Sequence, residues 1–488
     1  MILDRPGSAS ENPVQRAPEY GSDLVVDLLQ ALGIEYAAFN PGASFRGLHD
    51  SLVNYGGDQS PRTVLCCHEE ISVALAHGYA KATGRPMVAA LHDVVGLQHA
   101  CMAIFNAWCD RVPVLLLGGT GPMDSTRRRP WIEWIHSALV QGNHVRDFVK
   151  WDDQPANAAG VAESILRAYR LMTAEPTGPV YVCLDAALQE DPLPKGISMP
   201  ADIERWVRQA PVNADPEGLR TGAEWLSQSR RPVILADTVG RSSAGTDALR
   251  QLAETLNAPV VDLGTRFNFP SEHRLEATER REDLLREADL ILAVDVVDLW
   301  GSLQANAARH RPAGFAPSAE AKIISLTVSD LLVHSWTSDF QRMQPVDLRL
   351  VGESRLALPA LLDGLGSDAS ASQERLSRAE KIAAAFALPA IRQFAHQVCA
   401  TDQSDQLALG VHHRHTLQAL RNENGPHTVN PSGVCYRYHV ARHHLAHRRA
   451  GASDQVVLAH DADDAAVRID HGRAADAVLG ERLRRLVN

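Results

Sequence analysis

Two adjacent carboxylates lie where a buried strand is expected to pass into a helix. The segment reads Cys67-His68-Glu69-Glu70, and a stretch rich in alanine and glycine follows it. A carboxylate at such a junction is partly removed from water and can share a proton with a nitrogen of a bound ring. The alternative is that both glutamates only stabilise the first helical turn through the helix dipole. Taken alone, the local pattern favours this structural alternative.

A histidine follows the next predicted strand at the start of a turn. Met87–Leu91 is apolar, and His92 comes directly after it. A histidine titrates near neutral pH and can therefore carry protons to and from a reacting group. The alternative is a ring whose hydrogen bonds serve only the structure at the end of the strand. We expect a functional role for His92.

Six segments in order connect these two positions to a known pattern. They are Asn40–Ser44, His68–Glu69, Gly78–Pro86, Leu91–Gly96, Asn106–Trp108 and Asp110–Val114. In order and spacing they resemble the pyrimidine-binding domain of thiamine-diphosphate-dependent enzymes of the acetolactate synthase and benzoylformate decarboxylase kind. The following part of the chain, to about residue 365, resembles the central domain of the same enzymes.

The resemblance implies roles for individual residues. It implies that Glu69 is the carboxylate that activates thiamine diphosphate by exchanging a proton with the cofactor's aminopyrimidine ring, whereas Glu70 comes one residue too late. It also implies that His92 is the second catalytic residue. The cofactor contacts expected from the resemblance are Pro41, Gly42, Glu69 and Gly96, and the substrate contacts are Ala43, Ser44 and His99.

The implied reaction is a 2-oxo acid decarboxylation or carboligation of the acetolactate synthase type, with a benzoylformate decarboxylase-like lyase as an alternative. The chain differs from both kinds of enzyme. Acetolactate synthases usually carry an aromatic-Gln-Glu segment in the neighbourhood of Trp134-Ile135-His136 of this chain. Acetolactate synthases usually carry Ser-Gly-Pro-Gly where this chain has Asp93–Gly96, and benzoylformate decarboxylases place serine where this chain has Ala43. The expected substrate is a small 2-oxo acid, and the expected assembly is a homodimer or homotetramer.

One motif of the family is not found in the sequence. In these enzymes Gly-Asp-Gly and a later asparagine hold the diphosphate through Mg²⁺, since a hard cation prefers oxygen ligands. No Gly-Asp-Gly occurs in the chain. Thiamine diphosphate and Mg²⁺ are therefore implied by resemblance alone. A further alternative is a non-catalytic or half-enzyme subunit that supplies Glu69 to a partner chain carrying the diphosphate-binding domain.

Two other ligand classes are not expected. No Gly-x-Gly-x-x-Gly follows a strand of the second domain, which makes FAD binding a weak hypothesis. Cys435, His439, His443 and His447 are spaced four residues apart. Four ligands along one straight helix cannot surround zinc tetrahedrally, so we predict no metal ligands there.

The elements that must position these residues alternate between strands and helices. The strands predicted first are Ile34–Phe39, Thr63–Cys67, Met87–Leu91, Val112–Leu117 and Pro179–Leu184. The helices predicted among them are Asp23–Leu32, Phe45–Leu52, Glu70–Thr83 and Leu97–Trp108. This alternation predicts an α/β domain whose parallel sheet is covered by helices on both faces.

A second alternating series predicts a Rossmann-like central domain. Its strands are Pro232–Ala236, Pro259–Leu263, Leu290–Val294, Ile323–Leu326 and Val346–Val351, and its clearest helices are Ala244–Leu256 and Ser354–Leu365. The expected limits are a disordered tail at 1–20, the pyrimidine-binding domain at 21–190, a linker at 191–211, the central domain at 212–365, and a linker with an atypical C-terminal region at 366–488. Disorder is one possibility for that last region.

Composition excludes several classes of partner. The formal charge of -11 comes with no basic block, so neither nucleic acid nor an anionic membrane is an expected partner. No apolar stretch approaches the roughly 20 residues that span a bilayer. The seven cysteines are odd in number, which favours free thiols in a reducing cytoplasm over a disulfide framework.

Overall fold

The computed structural model describes most of the first 386 residues and two short later strands. The described residues are 17–130, 133–307, 311–333, 338–366, 373–386, 455–458 and 467–470. Those up to residue 384 belong to one unit, and the two later strands belong to a second. Tail residues 1–16 and the predicted non-metal cluster Cys435, His439, His443 and His447 lie outside the described residues.

A six-stranded parallel sheet organises the first part of the chain. Its strands in chain order are β1 (Tyr36–Phe39), β2 (Arg62–Leu65), β3 (Met87–Leu91), β4 (Val114–Thr120), β5 (Asp152–Asp153) and β6 (Val180–Asp185). The order across the sheet is β2-β1-β3-β4-β6-β5. Every neighbouring pair is parallel. Their carboxyl ends therefore meet along one edge of the sheet.

Helices cover both faces of this sheet. They are α1 (Gly21–Ala31), α2 (Arg46–Asp50), α3 (Glu69–Thr83), α4 (Asp93–Cys109), α5 (Glu133–His136), α6 (Ala158–Thr173), α7 (Ala186–Glu190) and α8 (Ile203–Val207). One apolar core contains Leu28 and Ile165 from α1 and α6. A second core contains Val73 and Ile104 from α3 and α4. Two separate cores are the expected result when helices bury both faces of a parallel sheet.

The second sheet has five parallel strands. In chain order the strands of this part are β7 (Pro232–Ala236), β8 (Val260–Asp262), β9 (Leu290–Val294), β10 (Gln304–Ala307), β11 (Arg311–Phe315), β12 (Lys322–Leu326) and β13 (Leu348–Leu350). The sheet order is β13-β12-β9-β7-β8, and β10 and β11 form a separate antiparallel pair. The helices are α9 (Pro216–Gln228), α10 (Ser243–Leu256), α11 (Arg281–Glu287), α12 (Leu299–Ser302), α13 (Ser354–Asp363) and α14 (Gln373–Phe386).

The predicted fold class is confirmed, with local differences. Helix α4 begins at Asp93, four residues before the predicted start at Leu97, because the backbone N–H of Gly96 already bonds to the carbonyl of His92 at 2.7 Å. The predicted helix Phe45–Leu52 is divided among a 3₁₀ turn, α2 and a π-helical turn. The antiparallel pair β10–β11 was not predicted.

The exact domain limits stay predictions, although two observations bear on their ends. Tyr20, placed in the predicted tail, forms an antiparallel bridge with Pro192. The predicted linker 191–211 contains α8. In the second unit, β14 (Gln455–Leu458) and β15 (Val467–Asp470) form an antiparallel pair that the sequence analysis did not predict. No helix in the described part of the chain has the length and apolar composition needed to cross a membrane.

Candidate active site

Three neighbouring strands deliver the predicted site residues to one edge of the first sheet. The loop after β1 carries Asn40 to Ser44, Glu69 follows β2, and His92 follows β3. Strand β1 lies between β2 and β3, so these three connections are adjacent in space. The carboxyl edge of a parallel sheet is the usual position of a binding site in such folds.

Glu69 is the first residue of α3 and is almost fully buried. Its exposed fraction is 4%, whereas Glu70 is exposed. The ring of His68 caps the helix, because its Nδ1 accepts a hydrogen bond of 3.2 Å from the backbone N–H of Glu70. The cap sets the start of the helix and directs the two glutamates differently. The amide of Asn40 donates to Glu69 Oε1 at 3.2 Å.

Gly96 provides the surface on which the Glu69 carboxylate rests. A Cβ atom at this position would lie 3.0 Å from both Cγ and Oε1 of Glu69. This contact is tighter than ordinary van der Waals packing, so a side chain here would make the carboxylate shift by a few tenths of an ångström, whereas glycine leaves it in place. The predicted cofactor residues Glu69 and Gly96 are therefore in contact.

His99 lies beside Glu69 and not beside the predicted substrate residue Ser44. Its Nδ1 is 3.4 Å from Glu69 Oε2, and its ring stacks on that of His68 with centroids 4.8 Å apart. His68, Glu69 and His99 thus form one cluster, with ligand atoms within 4.8 Å of one another. Each oxygen of the carboxylate has a neighbouring polar group, the amide of Asn40 for one and the ring of His99 for the other.

His92 and Ser44 form the second cluster. The Ser44 hydroxyl and His92 Nδ1 are 2.9 Å apart, and Ser44 is 1% exposed. Gly42 permits this approach, since a Cβ there would lie 2.4 Å from Cγ of His92. Burial lowers the pKa of His92 below its ordinary value of 6.5, although Asp93 acts in the opposite direction. At neutral pH the ring is therefore neutral and able to accept a proton.

The sequence analysis missed two groups next to His92. The ring of His136, on α5, has its centroid 5.4 Å from that of His92. Asp93 is 3% exposed and adopts φ 47, a left-handed conformation unusual for a residue with a side chain. Its Oδ1 accepts hydrogen bonds from Ser137 Oγ at 3.0 Å and Gln141 Nε2 at 3.1 Å. Burial raises the pKa of Asp93.

The sequence contains a signal for only one of these groups. The segment Trp134-Ile135-His136 departs from the acetolactate synthase pattern, but this departure assigned no role to His136. Nothing in the spacing indicated that Asp93 would be buried. The other predicted contacts, Pro41 and Ala43, are exposed on the loop after β1. Arg127 forms an exposed ion pair with Asp191.

Comparison with known proteins adds two family models to this geometry. Residues 20–142 match the model of the thiamine pyrophosphate enzyme, N-terminal TPP binding domain. Residues 219–361 match the model of the thiamine pyrophosphate enzyme, central domain. The first match contains every predicted site residue, and the second contains the five-stranded sheet.

Individual relatives are similar over the same part of the chain. Benzoylformate decarboxylase from Pseudomonas aeruginosa is 29% identical over 331 residues, which are 66% of this chain and 58% of that protein. The acetolactate synthase large subunit of Mycobacterium tuberculosis is 28% identical over 366 residues, 74% of this chain and 61% of that protein. The chain thus spans about three fifths of the length of these curated relatives.

A solved structure has the same fold. The crystal structure of benzoylformate decarboxylase from Polynucleobacter necessarius superposes with a TM-score of 0.58 and 22% identity, covering 71% of this chain and 61% of that chain. At this level of identity, the likeness concerns the fold alone. Two consecutive family models, their order along the chain and this fold lead to one assignment. The chain belongs to the family of thiamine pyrophosphate-dependent enzymes.

Proposed function

We propose that the chain acts in the thiamine-diphosphate-dependent decarboxylation or carboligation of a 2-oxo acid. The observation that carries this proposal is the buried carboxylate of Glu69, which rests on Gly96 and has Asn40 and His99 beside its oxygens. Carbon dioxide release from a panel of 2-oxo acids tests it, with thiamine diphosphate and Mg²⁺ present. No release from any of them, with or without a Gly-Asp-Gly-containing partner chain, would contradict the proposal.

The residues present suit the pyrimidine end of the cofactor. When bound, thiamine diphosphate would supply a nucleophilic carbon, formed by deprotonation of its thiazolium ring, and a positively charged ring that can accept an electron pair. Glu69 would hold a proton at its buried carboxylate and exchange it with a ring nitrogen of the cofactor. Pro41, Gly42 and Gly96 would be the backbone contacts of that end of the cofactor. Asn40 would keep the carboxylate oriented.

The Ser44–His92 pair favours a benzoylformate decarboxylase-like lyase as a second candidate. Its hydrogen bond of 2.9 Å holds the histidine ring at the carboxyl edge of the sheet. A neutral imidazole in this position can move a proton to or from the substrate, and the Ser44 hydroxyl orients it. His136, with its ring 5.4 Å away, would be a second proton carrier beside His92.

The diphosphate end of the cofactor requires groups that we place on a partner. The chain spans 58% to 61% of its relatives' length, and the sequence holds no Gly-Asp-Gly. We propose that Mg²⁺ and the diphosphate are held by a Gly-Asp-Gly segment on a different chain, in a mixed assembly. In the half-enzyme alternative Glu69 has the same role. The alternative adds only that a second kind of chain completes the site.

Replacing His92 by alanine should lower turnover more than it weakens cofactor binding. The reduction expected for a lost proton carrier is about 10²- to 10⁴-fold in kcat. Because burial lowers the pKa of His92 below 6.5, activity should fall only as the pH drops below that value and the ring becomes protonated. This acidic limb of the profile should disappear in the variant. Equal losses in cofactor affinity and kcat would instead mark His92 as structural.

The chain alone should bind thiamine diphosphate with Mg²⁺ weakly or not at all. An anionic diphosphate without oxygen-bound Mg²⁺ gains little from the pocket that receives the pyrimidine ring. Calorimetric titration of the purified full-length chain measures this directly. Magnesium-dependent binding in the micromolar range by the chain alone would contradict the prediction. Binding that begins when a Gly-Asp-Gly-containing partner chain is added would support the half-enzyme alternative.

A further inference from the structure

Helix α14 is anchored on the second sheet by a buried arginine. Arg375 is 2% exposed, and its Nη2 donates to the carbonyls of Leu226 and Ser227 at 2.8 Å each. These carbonyls belong to the last turn of α9, where backbone acceptors lack partners within the helix. A cation is also favoured at that end by the helix dipole. The contact holds α14 against the end of α9.

One turn later on the same face, Arg378 is buried with part of its hydrogen-bonding capacity unused. Its side chain is 11% exposed, and its Nη1 donates to the carbonyl of Pro232 at 3.2 Å. Nε and Nη2 are buried without a hydrogen-bond partner. Glu287 Oε2 lies 3.8 Å from Nε, which is too far for a hydrogen bond. Buried donors of a charged group are costly unless something accepts from them.

The unpartnered Nε and Nη2 of Arg378 form one edge of its guanidinium group. In two other arginines of this protein the same edge binds a carboxylate. Arg46 donates through Nε and Nη2 to the two oxygens of Glu190, both at 2.8 Å. Arg146 donates through the same atoms to the two oxygens of Asp152, at 2.8 and 2.6 Å. This parallel pair of N–H groups matches the spacing of oxygens in carboxylates and phosphates.

Arg378 is also one of the residues that line a cavity of positive character between α11 and α14. The cavity has a volume of about 320 Å³, within the range of small-molecule sites. Arg231, Arg280 and Lys381 line it with Arg378, against only two acidic side chains, Glu287 and Glu374. Burial lowers the pKa of Arg378 below its ordinary range, and Arg231 and Arg280 lower it further, whereas Glu287 raises it. The formal excess is two positive charges.

We propose that this cavity binds a small phosphate-bearing anion. The guanidinium of Arg378 would turn its buried, unpartnered Nε and Nη2 donors towards the phosphate, and Arg231, Arg280 and Lys381 would neutralise it. A phosphate group carries about two negative charges at neutral pH, which matches the excess of the cavity. The site lies apart from the carboxyl edge of the first sheet that carries Glu69. It is therefore a second binding site, independent of the proposed reaction.

Titration of the full-length chain with inorganic phosphate tests the proposal, by calorimetry at constant ionic strength. Saturable binding is expected, and Arg378→Gln should weaken it by about tenfold or more. Arg378→Lys keeps the charge and removes the paired donors, so it should also weaken binding. Glu287→Gln removes an exposed competing carboxylate and should strengthen binding several-fold. Arg220→Gln, in an exposed ion pair on α9, is the matched control and should leave binding unchanged.

Substitutions of two exposed residues, Lys381 and Glu287, still test the proposal if Arg378→Gln fails to fold. Lys381→Gln should weaken phosphate binding, in the direction opposite to Glu287→Gln. Absence of saturable binding, or equal affinity in the Lys381 and Glu287 variants and the parent chain, would overturn the proposal. Succinate carries the same charge as a dianionic phosphate, and binding tighter than that of phosphate would overturn the assignment to phosphate.

Discussion

The Glu69→Gln variant should lose 2-oxo acid decarboxylation by about 10²-fold or more, because an amide cannot exchange the proton that activates the cofactor ring. The amide is nearly the same size as the carboxylate, so it keeps the packing against Gly96. Hydrogen bonding from Asn40 to Oε1 can also persist. The expected loss of activity therefore comes from the missing proton exchange and not from altered packing. It is measured as carbon dioxide release, with the chain alone or with its partner chain, under the conditions in which the wild type is active.

Glu70→Gln is the matched control for this experiment. It makes the same chemical change one residue later, at an exposed position on the first turn of α3. Activity of this variant should remain within a few-fold of the wild type. If Glu69→Gln also retained activity within a few-fold, Glu69 would be only a buried helix-terminal carboxylate, and the proposed role would be wrong.

A second large effect, on stability, is expected from an ion pair between the two α/β domains. Arg241, in the loop after β7, donates to Glu175 Oε2 at 2.6 Å and to Asp295 Oδ2 at 3.1 Å. Its Nε donates to the carbonyl of Thr238 at 2.9 Å. Burial opposes the charge on Arg241, but Asp295 and Glu175 together raise its pKa above the ordinary range. Glu175 belongs to the first part of the chain and Asp295 to the second.

Arg241→Met should destabilise the protein by about 3–5 kcal/mol, since it leaves a buried carboxylate without its cation. Asp295 is 1% exposed and remains in place with only Ser354 Oγ donating to its Oδ2. The midpoint of chemical denaturation of the full-length chain measures the change. Arg220→Met, in an ion pair whose side chains are 70% and 81% exposed, should change stability by less than about 0.5 kcal/mol.

A double variant separates lost charge pairing from lost packing. Adding Asp295→Asn to Arg241→Met removes the unpaired carboxylate, so part of the lost stability should return. Two results would show that the ion pair does not stabilise this interface. One is a loss of stability in Arg241→Met as small as that in Arg220→Met, and the other is a further loss of stability when Asp295→Asn is added.

The alternation of strands and helices could be predicted from the sequence. A parallel strand is buried on both faces, so it appears in the sequence as a continuous apolar run. Met87–Leu91 and Leu290–Val294 are such runs, and both were predicted with the bounds that the structure has. Short or polar strands gave no such signal. Strand β5 has two residues, both aspartate, and is specified only by its pairing with β6.

For the candidate site, the sequence by itself determined which residue types follow each strand, and the order of motifs singled out Glu69 and His92. What only the tertiary structure decided is which of those residues touch. Spacing along the chain could not place His99 beside Glu69, Asn40 on its other oxygen, or His136 near His92. These contacts join separate loops, and their distances depend on the order of strands across the sheet and on which glycine leaves room for which side chain.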